Sequence, residues 1–319
     1  MQAVRWGLLS TARISDAVLA GGRQSDRISF VAVASRDLSR AEAYAHEHDI
    51  ERAHGSYEAL LDDGNVEAVY ISLPNSLHVE WSVRALEAGK HVLCEKPLDR
   101  RPDEVVRAFD AAERAGRLLM EGFMYRHHPQ TRELERVVAD GRIGELRHMR
   151  TAFSFTLDDP ANVRLRAELD GGALMDVGCY CVSGCRLLAG EPKLVFGQQR
   201  IGPTGVDIRF TGLLSFAADV SAEFYCGFDV PYASGFEAIG SEGSVLVRAP
   251  VTCRDPHLEL NGERIEVEDV DRYQLELENF SAAIRGEAEP LLGRDDALGQ
   301  ARAIDALYRS AASGAVVSL

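Results

Sequence analysis

The sequence has very little lysine, and this scarcity singles out one position. Lys90, Lys96 and Lys193 are the chain's lysines, and arginine supplies the other basic side chains. Arginine stays protonated, whereas the pKa of a partly desolvated lysine can move. Lys96 directly follows an apolar run in the stretch VLCEKPL, residues 92–98. Lys96 is therefore a candidate functional residue.

Long hydrophobic runs and positive net charge are also absent. No stretch approaches the roughly 18 consecutive apolar residues of a membrane-spanning helix, and the start lacks a basic segment followed by an apolar one. We expect a soluble, cytoplasmic protein. The formal net charge of -15 at pH 7 argues against partners such as nucleic acid or a membrane surface.

Cysteine is sparse as well. Six cysteines are too few and too scattered for a disulfide framework in a chain of this length. Cys179, Cys181 and Cys185 cluster, but their offsets on a helix do not converge on a metal. The stretch RHHP at 126–129 suggests a metal pair, yet adjacent histidines point apart. We expect reduced, buried cysteines and no metal.

Hydrophobic patterning predicts an α/β protein with two domains. Within residues 1–122, five short apolar strands alternate with helical patterns, which indicates a doubly wound parallel sheet that binds a dinucleotide. Residues 123–293 contain runs of strands without alternating helices, which predicts an α+β substrate and oligomerisation domain with a mostly antiparallel open sheet. We expect the last helix, at about 294–312, to pack on the first domain.

The first strand-to-helix turn is the expected dinucleotide site, although it lacks glycine. In GLLSTARIS the three glycines of G-x-G-x-x-G are replaced by Ser10, Ala12 and Ser15. Small residues meet the same need for close approach of the backbone to a pyrophosphate at a helix N-terminus. An ordinary tight turn is the alternative. The turn residues predicted to contact the cofactor are Ser10, Thr11, Ala12, Arg13 and Ile14.

The end of the second strand indicates which dinucleotide binds. A carboxylate there usually holds a free 2′-hydroxyl, and an arginine accommodates a 2′-phosphate. This chain has Ser35 and Arg36, followed by Arg40 at a spacing that lets both arginines reach one anion. NADP is therefore favoured over NAD. The alternative is that both arginines are solvated and pair with Asp37 or Glu42.

Several motifs in the same order resemble one enzyme family. ASRDLSRA, YISLPNSLH, AGKHVLCEKPL, MEGFMYRHHPQ, GELRHMRTAFSF and GGALMDVGCY span almost the whole chain and are similar to the glucose-fructose oxidoreductase and inositol dehydrogenase (Gfo/Idh/MocA) family. The resemblance is strongest to its dimeric dihydrodiol dehydrogenases and NADP-dependent xylose dehydrogenases. Many relatives end the motif D-x-G-x-H with histidine. This chain has Asp176, Gly178 and Tyr180, as in the tyrosine-bearing subgroup.

The resemblance implies an NADP-dependent dehydrogenase or reductase that acts on a monosaccharide, polyol or related diol. Lys96 would hold the reacting oxygen and lower the pKa of Tyr180, which would exchange the hydroxyl proton. Asp176 would orient sugar hydroxyls. Alternatives are a surface pair of Lys96 with Glu95, a packed aromatic role for Tyr180 and a capping role for Asp176.

The resemblance implies further site residues. The remaining expected cofactor contacts are Leu73, Pro74, Asn75, His78, Glu95 and Lys96. The alternative for Asn75 is an N-cap of the following helix, and the alternative for His78 is a structural histidine. The expected substrate contacts are Phe155, Asn162, Arg164 and Asp176.

The resemblance also bears on assembly and on a competing function. It implies a homodimer or homotetramer formed through the sheet of the second domain. Some relatives of this fold bind a dinucleotide without catalysis and act as regulators. The presence of both Lys96 and Tyr180 argues against that alternative, because a sensor has no need of a proton-transfer pair.

Overall fold

The structure is a computed structural model that describes residues 2–319. It divides into two compact units. The first comprises residues up to 99, Asp103–Met124 and Asp271–Ala297. As far as Gly122, the chain forms β1 (Val4–Leu9), α1 (Ile14–Gly22), β2 (Ile28–Ala34), α2 (Leu38–Glu47), β3 (Arg52–His54), α3 (Tyr57–Leu61), β4 (Ala68–Ile71), α4 (His78–Glu87), β5 (His91–Glu95), α5 (Pro102–Ala115) and β6 (Leu119–Gly122).

Six strands of the first unit form one parallel sheet, which confirms the predicted doubly wound class. Their order is β3-β2-β1-β4-β5-β6. Successive strands run outward from β1 in one direction and then from β4 in the other, so the strand order reverses between them. Ligands of such sheets bind at the carboxyl ends of the strands beside this reversal. The sequence pattern missed β3, because its residues Arg-Ala-His contain no apolar run.

The second unit comprises Arg100–Pro102, Tyr125–Val270 and Leu298–Leu319. After Gly122 the chain forms α6 (Pro129–Ala139), β7 (Leu146–Ser154), a π-helical turn (Leu174–Gly178), α7 (Cys179–Ala189), β8 (Leu194–Ile201), β9 (Asp207–Ser215), β10 (Ser221–Gly227), β11 (Ala233–Gly240), β12 (Ser244–Val247), β13 (His257–Leu260), β14 (Glu263–Glu266), α8 (Arg272–Ile284), α9 (Arg294–Ser313) and β15 (Val317–Ser318).

Nine strands of the second unit form a mixed sheet that is mostly antiparallel, as predicted. Their order is β14-β13-β12-β11-β7-β10-β9-β8-β15, and only β7 and β10 pair in parallel. Buried and exposed residues alternate along β10: Ala222 and Phe224 are buried, whereas Ser221 and Glu223 are exposed. The helix α7 packs against β7 and β10. The sheet therefore has one covered face and one open face.

The compact units differ from the predicted domains in their C-terminal helices. The helix expected at 294–312 to join the first domain is α9, and most of α9 belongs to the second unit. There, Tyr308 of α9 packs edge-on against Phe210, with ring centroids 5.7 Å apart. The helix that joins the first unit is α8, whose buried Phe280 lies 5.9 Å from the Trp6 ring. Both helices are amphipathic, so the sequence pattern could not tell their partners apart.

No helix within residues 2–319 is long and apolar enough to cross a membrane.

Candidate functional site

The turn after β1 places serine in a backbone conformation that favours glycine. Ser10 has a φ of 134°. Its hydroxyl lies 2.9 Å from the hydroxyl of Ser72, which follows β4, and it accepts a hydrogen bond from the Ala12 N–H at 3.2 Å. The Ser15 hydroxyl lies 3.2 Å from the same Ser72 oxygen. Serine thus replaces glycine here while its side chain links the ends of β1 and β4.

The same turn leads directly into α1. Arg13 is the residue before the helix, Ile14 begins it, and no side chain of the described residues caps its first backbone N–H groups. The N–H groups at a helix start have no intrahelical acceptor, and the helix dipole favours negative charge there. Thr11 and Ala12 complete the turn between β1 and this helix start. The predicted pyrophosphate residues therefore form one continuous turn suited to an anion.

Arg36 and Arg40 follow β2 and converge on one phenol. Both are exposed, and both lie close enough to Tyr57 for their charges to act on its phenol. Burial raises the pKa of Tyr57, and the charges of Arg36 and Arg40 oppose that rise. Ser35, at the end of β2, is buried, and its hydroxyl accepts from the Asp37 N–H at 3.4 Å.

The predicted alternative for these arginines was pairing with nearby carboxylates. Asp37 caps α2 instead, and it accepts from the Ser39 N–H at 2.9 Å and the Ser39 hydroxyl at 2.7 Å. Hydrogen bonding by the Ser39 side chain is the main reason that the pKa of Asp37 is lowered. Neither Arg36 nor Arg40 forms an ion pair within the described range 2–319. Both guanidinium groups are thus available to an anion at this strand end.

His78 lies in the core beside the ends of two strands. It begins α4 and is 1% exposed. Its Nδ1 lies 2.9 Å from the Pro97 carbonyl oxygen and its Nε2 2.8 Å from that of Leu73. Burial lowers the pKa of His78, against the two carbonyl contacts, which raise it. These contacts fit the structural alternative for His78, and its contact with the cofactor stays a prediction.

The neighbours of His78 form the short connection between β4 and α4. Leu73 is buried, Pro74 precedes a single 3₁₀ turn over Asn75–Leu77, and α4 follows. Asn75 is therefore not the N-cap of α4, because Leu77 holds that position. Asn75 lies at the carboxyl end of β4, as predicted for a cofactor contact.

The chain that carries Lys96 is held by buried polar groups on both sides. The Leu98 N–H donates to Glu121 Oε1 at 2.7 Å, and Glu121 is 1% exposed. The Pro97 carbonyl faces the His78 ring, and the Lys96–Pro97 peptide bond is cis. The Glu95 carboxylate accepts from the Tyr70 hydroxyl at 2.5 Å and from the Lys96 N–H at 3.3 Å. The backbone on which Lys96 stands is therefore fixed after β5.

In the second unit, the predicted Asp176 and Tyr180 lie on one continuous helical segment. Asp176 lies in the π-helical turn, and Tyr180 is the second residue of α7. Asp176 Oδ2 accepts from Arg164 Nε at 2.6 Å, so the structure brings together two residues predicted to contact substrate. The N-cap of the turn is Ala173, which corrects the capping alternative for Asp176. Single π-helical turns are frequent at functional sites.

The Tyr180 ring packs among aromatic side chains. It is 5% exposed, and its centroid lies 5.8 Å from those of both Tyr125 and Phe153. Tyr125 is fixed in turn, because its hydroxyl donates to the buried Ser183 hydroxyl at 2.8 Å. This packing restricts the Tyr180 ring, which suits a positioned phenol as well as the purely structural alternative.

The two other predicted substrate residues lie close to this cluster in sequence but have different surroundings. Phe155 is half-buried and packs 5.3 Å from the Phe228 ring. Asn162 caps a short 3₁₀ turn by accepting from the Arg164 N–H at 3.1 Å. Asn162 therefore shapes the segment that presents Arg164.

Burial shifts the pKa values of the residues considered as metal ligands. Burial lowers the pKa of His127 to about 3 and raises that of Cys185 to about 12. Across residues 2–319, no three His, Cys, Asp or Glu side chains are placed to hold a metal ion.

Sequence reasoning missed Tyr57 and Glu121. Tyr57 begins α3, and Glu121 lies in the apolar strand β6. An acidic residue inside an apolar strand was the available signal for Glu121, because a buried carboxylate needs donors. Tyr57 gave no signal, since its proximity to Arg36 depends on how α2 and β3, which lie between them in the chain, pack.

Two family profiles match the chain. The profile described as an oxidoreductase family with an NAD-binding Rossmann fold matches residues 4–123, and the profile of the GFO/IDH/MocA C-terminal domain matches residues 131–246.

Individual relatives extend the match over nearly the whole chain. D-xylose 1-dehydrogenase (NADP(+)) 2 of Haloferax volcanii is 38% identical and covers 98% of this chain and 99% of its own. Human trans-1,2-dihydrobenzene-1,2-diol dehydrogenase is 37% identical over 83% of this chain and 80% of its own.

Solved structures also match the chain over nearly its whole length. A 3-ketoreductase from Actinomadura kijaniata, in complex with NADP and TDP-benzene, is 30% identical, with a TM-score of 0.91 over 97% of this chain and 98% of its own. Variants of that enzyme with one tyrosine changed to phenylalanine, or one lysine to alanine, also match.

The backbone support of Lys96 can be tested at Glu121. Glu121→Ala leaves the buried Leu98 N–H without its acceptor, so we expect the free energy of unfolding to fall by about 1–3 kcal/mol, measured by urea denaturation. Glu121→Gln keeps an acceptor oxygen and should lose less. Equal losses in the two variants would show that this hydrogen bond does not support the segment.

Proposed function

Because the chain belongs to the Gfo/Idh/MocA oxidoreductase family, we propose that it is an NADP(H)-dependent enzyme that interconverts a CH–OH and a C=O group. The substrate class is a monosaccharide, a polyol or a related diol. The observation that carries the proposal is the match to an NADP-dependent xylose dehydrogenase across 98% of the chain. The first unit would bind the dinucleotide and the second the substrate.

The residues of the first unit fit NADP. The uncapped start of α1 suits a pyrophosphate, and Arg36 with Arg40 suits a 2′-phosphate. Asp37 forms no ion pair with either arginine, since its carboxylate caps α2. When bound, NADP supplies the hydride acceptor for oxidation or the donor for reduction. A charged pair of arginines that lacks a carboxylate partner favours NADP over NAD.

Lys96 and Tyr180 would divide the proton chemistry. The Lys96 ammonium donates a hydrogen bond to the reacting oxygen and stabilises the negative charge that develops on it. Tyr180 accepts the hydroxyl proton in oxidation and returns it in reduction. A nearby ammonium lowers the pKa of a phenol from its usual value of about 10 toward working pH. The matched lysine and tyrosine variants of the 3-ketoreductase involve the same residue types.

Asp176 and Arg164 would orient the substrate. Their ion pair fixes a carboxylate and a guanidinium group side by side, and both groups can bind vicinal hydroxyls. Phe155 would supply an apolar surface for the sugar ring. D-xylose is the first substrate to test, from the name of the Haloferax relative.

The experiment is a substrate panel. Purified protein is mixed with NADP or NAD and with D-xylose, other aldoses, polyols and trans-diols, and formation of the reduced cofactor is followed by absorbance. We expect turnover with at least one sugar or diol and faster turnover with NADP. NADP binding without turnover on any compound would favour the non-catalytic regulator instead.

Cofactor choice depends on Arg36. Arg36→Ala should weaken NADP binding by about 10- to 150-fold, because a hydrogen bond to a charged group contributes roughly 1.5–3 kcal/mol. NAD binding should hardly change. Titration calorimetry with both cofactors measures this difference, and Arg114→Ala, an exposed arginine on α5, is the matched control. Equal losses for NADP and NAD would contradict the assignment.

Lys96 and Tyr180 should act as one unit. Lys96→Met and Tyr180→Phe should each lower kcat by about 10²- to 10³-fold while NADP still binds. The double variant should lose far less than the product of the two single losses. Lys96→Arg should also fail, because it keeps the charge but not the compact ammonium. Lys193→Met, at an exposed lysine, is the control. A fully active Lys96→Met protein, or multiplicative losses, would refute the pairing.

The open face of the second unit's sheet would join copies of the chain. It carries exposed apolar side chains such as Leu194 and Leu213, together with the charged Arg150 and Glu223. A broad face of this kind is an association surface when it is left partly apolar. We therefore expect a homodimer or homotetramer. Light scattering at micromolar concentration checks this, and a monomeric mass would contradict it.

A further inference from the structure

The helical segment that carries Asp176 and Tyr180 begins on a buried carboxylate. The Leu174 N–H donates to Asp207 Oδ2 at 2.7 Å. Asp207 is the first residue of β9 and is 2% exposed. The N–H groups of a first helical turn lack intrahelical acceptors, so an external acceptor fixes where the turn begins.

A second donor holds the other oxygen of Asp207. The Tyr308 hydroxyl on α9 donates to Asp207 Oδ1 at 2.9 Å. The Tyr308 ring is itself fixed, since it packs 5.7 Å from Phe210 and lies under the guanidinium of Arg100 at 5.3 Å. Asp207 thus joins the helical segment to two other elements of the same unit.

The turn before the helical segment is shaped around the same carboxylate. Gly172 has a φ of 129°, and a Cβ there would collide with Asp207 Oδ1. The Gly172 N–H donates to the Arg164 carbonyl at 2.9 Å, and the Gly172 carbonyl accepts from the Asp176 N–H at 3.0 Å. Because Arg164 also binds the Asp176 carboxylate, a shift of Gly172 would move both residues.

The charge state of Asp207 is set by its surroundings. Burial raises the pKa of Asp207 to about 6, against the hydrogen bonds from Leu174 and Tyr308, which lower it. The other titratable or charged groups beside this network are the buried Cys226 thiol and Arg100. The carboxylate is therefore ionised at pH 8, where both of its oxygens accept.

We propose that Asp207, braced by Tyr308, is a positioning residue that sets the start of the helical segment carrying Asp176 and Tyr180. This inference rests on the proposed role of Tyr180 in proton transfer. Asp207 acts through Leu174 and Gly172. A misplacement of about 1 Å at the reacting groups lowers turnover by about 10²-fold, so the support of the segment matters for rate.

The test uses Asp207→Asn, which keeps the shape of the side chain but has one acceptor oxygen instead of two. At pH 8 we expect kcat to fall about 10- to 100-fold, with NADP affinity unchanged. In a Tyr180→Phe background the same substitution should cause a clearly smaller further loss, because one of the two residues that it positions is already inactive. Asp219→Asn, at an exposed aspartate of the same unit, is the matched control and should keep full activity.

Amide hydrogen exchange gives a second readout that does not depend on activity. Peptides covering residues 173–180 should exchange faster in Asp207→Asn than in the wild type, and peptides from β1 should not change. Tyr308→Phe removes one donor and keeps the carboxylate, so it should shift kcat and exchange in the same direction by less. It serves as the decisive variant if Asp207→Asn does not fold.

The outcomes separate this inference from the proposed function. A kcat for Asp207→Asn within twofold of wild type, or an equal loss in the Tyr180→Phe background, would overturn the positioning role. If Tyr180→Phe alone keeps full activity, the proposed proton transfer fails. Exchange at residues 173–180 then decides the positioning role by itself, and unchanged exchange would overturn it.

Discussion

The proposed proton chemistry depends most on how the backbone after β5 is held. A lysine side chain is long and flexible, so its ammonium can act at one point only if its backbone is fixed. In this chain the Leu98 N–H binds the buried Glu121 carboxylate, and the Pro97 carbonyl faces the buried His78 ring. Both contacts are shielded from water. In such a buried environment a hydrogen bond is stronger, and its loss costs more free energy. The placement of Lys96 follows from these two groups.

In the second unit, a buried carboxylate also holds the backbone by accepting a hydrogen bond. The buried Asp207 carboxylate accepts a backbone N–H at the start of the segment that carries Asp176 and Tyr180, as Glu121 accepts one beside Lys96. In each case a buried acid holds main chain, while the residue proposed for chemistry lies a few positions away. Burying a carboxylate has a free-energy cost unless donors surround it. In each unit, the buried carboxylate of Glu121 or Asp207 supports the backbone of the proposed site.

The sequence predicted the elements well and the buried polar contacts poorly. Alternating apolar strands and helices gave the parallel sheet, and the run of strands after β7 gave the mixed sheet, because both follow from hydrophobic periodicity. Ser10 was expected to replace glycine, and its φ of 134° agrees. The strand β3 was missed because it is three residues long.

The contacts that the sequence did not predict have a common cause. The His78 ring lies against two carbonyl oxygens in the core, and neither these contacts nor the roles of Glu121 and Asp207 follow from the sequence. Glu121 lies 23 residues from Leu98, and Asp207 lies 33 residues from Leu174. Contacts at such separations depend on how elements pack, which periodicity and local motifs do not specify.

Direct hydride transfer to the nicotinamide can be tested by following one hydrogen atom. A sugar or diol that supports turnover is labelled with deuterium on the carbon that bears the oxidised hydroxyl, and the NADPH formed is analysed by mass spectrometry. We expect each NADPH to carry one deuterium, because hydride passes directly from that carbon to the nicotinamide. NADPH without deuterium, or no NADPH with any sugar, polyol or diol, would contradict it.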